Sequence, residues 1–197
     1  MSKALILMGI KHCGKTTQGR LLSKHFACPF FDTDDVIQAQ TGLSPRSIYA
    51  EQGESAFVAA ELAACEHLAR LIAERTPAAK PHAAVIATGG GICKNSAAVA
   101  VLREIGTLVF LDAPESTAAD RIVREAVVAA DGTISNLPAY IAKERPQTLD
   151  DVRTIFHRFY EERIKSYADL CAVRVPMTPA TPEENMQAVL RVLAVRR

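Results

Sequence analysis

The sequence predicts an α/β fold, a parallel sheet with helices on both faces, and three observations lead there. Residues 4–8 (ALILM), 83–87 (AAVIA) and 107–111 (TLVFL) are short unbroken apolar runs, the mark of strands buried on both faces. The first two stop at glycine, Gly9 directly and Gly89 after Thr88. Between the runs lie stretches with helical spacing, and strands that alternate with helices run parallel because each helix carries the chain back across the sheet.

Taken in order, residues 15–26 form the first helix, with Leu21, Leu22 and Phe26 towards one side. Residues 29–32 are a second strand that ends in acidic residues. Residues 47–75 are rich in Ala, Glu, Leu and Gln, which favour helix, and Gly53 divides them into two helices. A helix over 96–104, a strand over 172–175 and a closing helix over 182–193 complete the rhythm. Two stretches stand outside it: the Pro/Ala-rich residues 76–82 are expected as a surface loop, and residues 127–147 as a mobile excursion rather than core.

A chain of 197 residues with 49% hydrophobic side chains can bury the core of one domain spanning 1–197. Its 23 basic and 22 acidic residues are interspersed, so no basic stripe calls for a nucleic-acid partner. Five scattered cysteines form no CxxC pair, which argues against a disulfide framework or a zinc site and for a reduced, cytoplasmic setting. No secretion signal is expected from residues 1–3, which run straight into the first strand, and no apolar run reaches the roughly 18 residues of a membrane span. The expectation is a monomer that acts on a small molecule.

Gly9-Ile10-Lys11-His12-Cys13-Gly14-Lys15-Thr16 fits G-x-x-x-x-G-K-[ST] between a buried strand and a helix. The two glycines let the backbone curl until successive N–H groups face one anion, and the helix adds its positive end. The guest is a nucleotide phosphate chain: Gly9 to Thr16 and the adjoining Thr17 bind it, Lys15 reaches the β- and γ-phosphates, and the Thr16 hydroxyl binds Mg²⁺. His12 and Cys13 are expected to point to solvent.

Phe31-Asp32-Thr33-Asp34 ends the second strand, at the edge where open parallel sheets meet their ligands. On an extended chain Asp32 and Asp34 point the same way: Asp32 serves the metal, and Asp34 holds or deprotonates an acceptor hydroxyl. Thr88-Gly89-Gly90-Gly91 ends the third strand and leaves bare backbone to press against a ligand.

GIKHCGKTT, FFDTDDVI, TGLSPRSIYAEQGESAF with Glu61 shortly after, and ATGGGIC follow one another in the order and spacing of the shikimate kinase family. The chain resembles that family over most of residues 4–112 and again near Arg145. The resemblance implies a three-layer P-loop fold with a five-stranded parallel sheet, and phosphorylation of the 3-hydroxyl of shikimate with MgATP. By position Lys15 is similar to the P-loop lysine, Thr16 and Asp32 to the magnesium-side residues, and Asp34 with Gly89, Gly90 and Gly91 to the substrate pocket. Arg121 is placed like the adenine-stacking arginine, and Pro182 is assigned to the nucleotide side. Arg145-Pro146 resembles the arginine and proline of a mobile lid, here about 121–160, and Arg163 the arginine that grips the substrate carboxylate, with Lys165 where the family keeps a proline. Catalytic roles fall on Lys15, Asp34 and Arg145.

Two departures stand out. The run Gly53-Glu54-Ser55-Ala56-Phe57-Val58-Ala59-Ala60-Glu61 puts Val58 where the family has a second carboxylate-binding arginine, which also deprives Glu61 of its partner. Between Arg121 and Arg145 the chain is longer than the usual lid. Arg46 could fill the gap, shikimate could bind more weakly, or the acceptor could be another hydroxylated metabolite, as in a gluconate-kinase-like enzyme. A nucleotide-binding regulatory protein weakened in catalysis is the non-enzymatic alternative.

Overall fold

The computed structural model describes residues 3–74 and 81–195. Its main sheet holds β1 (Ala4–Met8), β2 (Phe30–Asp32), β3 (Val85–Ala87), β4 (Gly106–Asp112) and, last in the chain, β7 (Val173–Pro176). The spatial order is β2-β3-β1-β4-β7 and every pairing is parallel. All of β1 is buried, as its uniform apolarity requires of a central strand covered on both faces.

The covering helices are α1 (Lys15–Phe26), α2 (Thr33–Thr41), α3 (Pro45–Gln52), α4 (Glu54–Glu74), α5 (Ser96–Ile105), α6 (Glu115–Glu125), α8 (Leu149–Leu170) and α9 (Pro182–Ala194). Between α6 and α8 stand an antiparallel ribbon, β5 (Val127–Val128) with β6 (Ile134–Ser135), and the short α7 (Ala139–Ala142). Local chemistry sets several starts: Ser44 caps α3, and reciprocal boxes of Thr148 with Asp151 and Thr181 with Glu184 cap α8 and α9. By contrast α1 opens on Gly14, at φ 97° and with no side-chain cap. Its first N–H groups are left to a ligand.

Four expectations need correction or completion. Residues 33–41 are helix, not extended chain: the Asp32 carboxylate accepts the Asp34 N–H at 3.1 Å and caps α2, so the strand stops at Asp32 and strand alternation does not aim Asp34. Residues 127–147 are not all outside the core, since Leu137 and Ile141 are 1% and 0% exposed within the main cluster. Residues 149–160, placed in the lid by the sequence reading, open a 22-residue helix that packs against α6 and β4. Of the loop expected over 76–82, residues 76–80 lie outside the described residues.

The main core wraps the sheet, while Ile37, Ile48 and Ala64 form a second, smaller cluster where α2, α3 and α4 meet. None of the described helices is long and apolar enough to cross a membrane.

Candidate active site

A cleft of about 1000 Å³ opens at the C-terminal ends of the strands and runs from the loop after β1 to α7. On its first side the backbone after β1 turns at Gly9, φ 149°, where a Cβ would sit 2.7 Å from the Leu111 carbonyl oxygen. No other residue fits between these strands. Lys15 is only 8% exposed, and its Nζ donates to the carbonyls of Gly9 at 2.9 Å and Ile10 at 2.8 Å.

The loop side chains differ from the expectation that His12 and Cys13 face solvent. Cys13 is buried, with its Sγ 3.7 Å from Lys15 Nζ, because the curl that frees the backbone N–H groups turns this side chain under the loop. His12 is half-buried at φ 65°, and its ring stands 3.5 Å from the Glu125 carboxylate. Burial lowers its pKa, with Glu125 opposing. The His12 carbonyl accepts from Arg121 at 2.5 Å, which brings that arginine to the cleft.

Thr16 Oγ1 donates to Asp32 Oδ2 at 2.9 Å. Asp32 therefore closes β2, caps α2 and meets the P-loop hydroxyl at once, and the two oxygens form a hard, divalent-cation type of donor pair.

The opposite side is built on the three glycines. The Gly89 N–H donates to Thr33 Oγ1 at 3.0 Å, fastening the glycine run to α2. A Cβ on Gly89 would lie 3.2 Å from Asp34 Oδ1 and 3.1 Å from Glu61 Oε1, and one on Gly90 would lie 2.8 Å from the Lys11 nitrogen. These glycines thus bring two carboxyl groups and the phosphate loop around one floor. Asp34 opens to the solvent of the cleft but stands deep within it. Burial foremost and Asp32 next raise its pKa, against the pull of Lys15.

Arg163, 8% exposed on α8, donates from Nη1 to the Gly90 carbonyl at 3.0 Å. One helical turn on, Tyr167 is fully buried and stacks on Phe110, so α8 presents a single inward face. Val58 is 37% exposed and lines the cleft. Sequence reasoning missed the group that serves its neighbourhood: Asn95 Nδ2 donates to Glu61 Oε2 at 3.1 Å and to the Val58 carbonyl at 2.9 Å. A polar residue at the start of α5 was the available signal. Arg46 also lines the cleft, its Nη2 donating to the Leu137 carbonyl at 2.7 Å and its Nη1 to Asn136 Oδ1 at 3.4 Å.

Not every candidate residue reaches the cleft wall. Gly9, Ile10 and Cys13 lie behind the loop surface, and Thr17 and Arg121 line the cleft. Pro182 lies outside it in the first turn of α9, its carbonyl accepting from Gln18 Nε2 at 2.9 Å. Arg145 is exposed, at φ 51°, and is absent from the lining.

Glu61 is 1% exposed, and its Oε1 has no hydrogen-bond partner among the described residues. Burial, opposed by Asn95 and reinforced by Asp34, raises its pKa from 4.5 to about 7. Folding therefore holds this proton to higher pH than the unfolded chain does. The stability it lends is complete below about 4.5 and is lost as pH rises towards 7. The loss is about 3 kcal/mol, from about 1.4 kcal/mol per unit. Urea unfolding from about pH 4.5 to pH 8 should show the wild type losing that much more than Glu61→Gln, whose amide cannot ionise.

A buried lysine in a glycine loop at the head of a helix, a Thr16–Asp32 donor pair and a polar acceptor floor together define a P-loop phosphotransferase. The family model for shikimate kinase matches residues 11–194, and the chain belongs to the shikimate kinase family. The shikimate kinase of Symbiobacterium thermophilum is 33% identical over 147 residues, covering 72% of this chain and 79% of the relative. That of Aquifex aeolicus is 30% identical over 167 residues, covering 83% and 81%. The structure of shikimate kinase from Acinetobacter baumannii in complex with shikimate has the same fold, with TM-score 0.76 over 100% of this chain and 96% of that one at 22% identity. The chain is a kinase and uses ATP.

Proposed function

We propose that the chain transfers the γ-phosphoryl group of ATP to the 3-hydroxyl of shikimate with Mg²⁺, giving shikimate 3-phosphate and ADP. The observation that carries this reading is the continuity of the cleft: the Lys15 loop and the Asp34, Gly89 and Arg163 floor are two sides of one space. The shikimate bound in a structure of the same fold supports the acceptor. Thr16 and Asp32 would hold Mg²⁺, which when bound offsets charge on the phosphate oxygens. Lys15 adds a fixed positive charge, Asp34 orients the hydroxyl and takes its proton, and Arg163 faces the carboxylate. Arg121 lies against the adenine side. Arg145, exposed in the segment between α7 and α8, is assigned to a lid that excludes water on closing.

The test is ADP release measured over a panel of hydroxy acids and polyols. Shikimate should be the strongest stimulant. No acceptor-dependent ADP release with any member of the panel, despite tight ATP binding, would leave a nucleotide-binding regulatory protein, and a better response to gluconate would reassign the pocket.

Val58 gives a companion prediction. Val58→Arg is expected to lower the shikimate KM by about tenfold or more, because a charge-assisted bidentate pair contributes about 1.5–3 kcal/mol. An unchanged KM shows that charge at this position does not limit binding.

A further inference from the structure

We propose that Tyr140 is an acceptor-positioning residue, its ring holding the Arg163 guanidinium flat so that one arginine presents a fixed edge to the anionic group of the acceptor. The inference rests on the acceptor site assigned above and deepens it.

Arg163 Cζ stands 4.2 Å over the Tyr140 ring and 5.5 Å over that of Phe159, and the two rings lie 4.6 Å apart, tilted by 58°. The Gly90 carbonyl takes Nη1 at 3.0 Å. A ring at the face and a carbonyl at one nitrogen together fix the plane of the fork, and cation and ring faces attract.

Tyr140 belongs to the stretch between Arg121 and Arg145. That stretch is built in as a wall. Arg46 donates to its Leu137 carbonyl, Asn136 Nδ2 donates to the Glu125 carbonyl at 2.8 Å, and Leu137 and Ile141 are in the core. Leu137, Pro138, Ala139 and Tyr140 line the cleft. Immobilising Arg163 in advance spares the rotamer freedom that binding would otherwise remove.

Steady-state kinetics with shikimate and ATP on Tyr140→Ala, Tyr140→Phe, Arg163→Ala and the double alanine variant test this. Tyr140→Ala should raise the shikimate KM about three- to thirtyfold while the ATP KM moves by less than about twofold. Tyr140→Phe keeps the ring face and should restore the shikimate KM to within about threefold of the wild type. In the Arg163→Ala background, Tyr140→Ala should add nothing, since it acts through the arginine. If the alanine variant does not fold, as read by its thermal melt, Tyr140→Leu fills the volume without a π face and should show the same rise. An unchanged shikimate KM in Tyr140→Ala, a parallel rise in the ATP KM, or a full effect without Arg163 overturns the proposal. An Arg163→Ala variant with an unaltered shikimate KM removes the acceptor assignment itself, and the inference with it.

Discussion

Lys15→Ala is expected to lower kcat by about a hundredfold to a thousandfold, the loss seen when one preorganised donor to a developing negative charge is removed. The magnitude follows from where the ammonium group is kept. It is almost sealed from solvent and held by the Gly9 and Ile10 carbonyls, so the protein fixes a positive charge on the phosphate loop and little reorganisation remains for the chemical step. Alanine also leaves those two carbonyls without the lysine, so the thermal melt should be measured beside the kinetics. Single-turnover ADP formation at saturating ATP isolates the chemical step. A rate within about threefold of the wild type takes Lys15 out of phosphoryl transfer.

Asp34→Asn should reduce kcat by about a hundredfold to ten-thousandfold, the range for a positioned general base. The substitution is nearly isosteric and spares the fold, because the bond that caps α2 runs to the Asp34 backbone N–H and not to its side chain. An amide still receives a hydrogen bond from a hydroxyl but does not take its proton. A rise in shikimate KM with kcat intact would assign Asp34 to binding alone.

The phosphate loop was legible because its chemistry is local: Gly9, Gly14, Lys15 and Thr16 act through the turn they themselves make. The buried strands were legible for the same reason, since apolar runs such as ALILM admit one use in a short chain. What the sequence hid lies in contacts between distant segments. Asn95 serves Glu61 from 34 residues away, and no spacing rule announces that. Leu137 and Ile141 sit among Gly132, Asn136, Pro138 and Pro146 and read as loop until a core is there to receive them. Asp34 was singled out for the right neighbourhood by a wrong geometry, because the helix start at Asp32 overrides strand alternation. Cys13 was misread because a glycine loop turns some side chains inward as it turns N–H groups outward.

The small cluster of Ile37, Ile48 and Ala64 has a consequence for how such a protein changes over time. It sits under α2, α3 and α4, apart from the core that anchors the phosphate loop. The helices beside the acceptor thus rest on a packing group of their own, joined to the main core through Val36 and to the phosphate loop through Asp32. An exchange such as arginine for valine at position 58 is then a change of taste rather than of engine, and acceptor preference becomes the more evolvable half of the molecule.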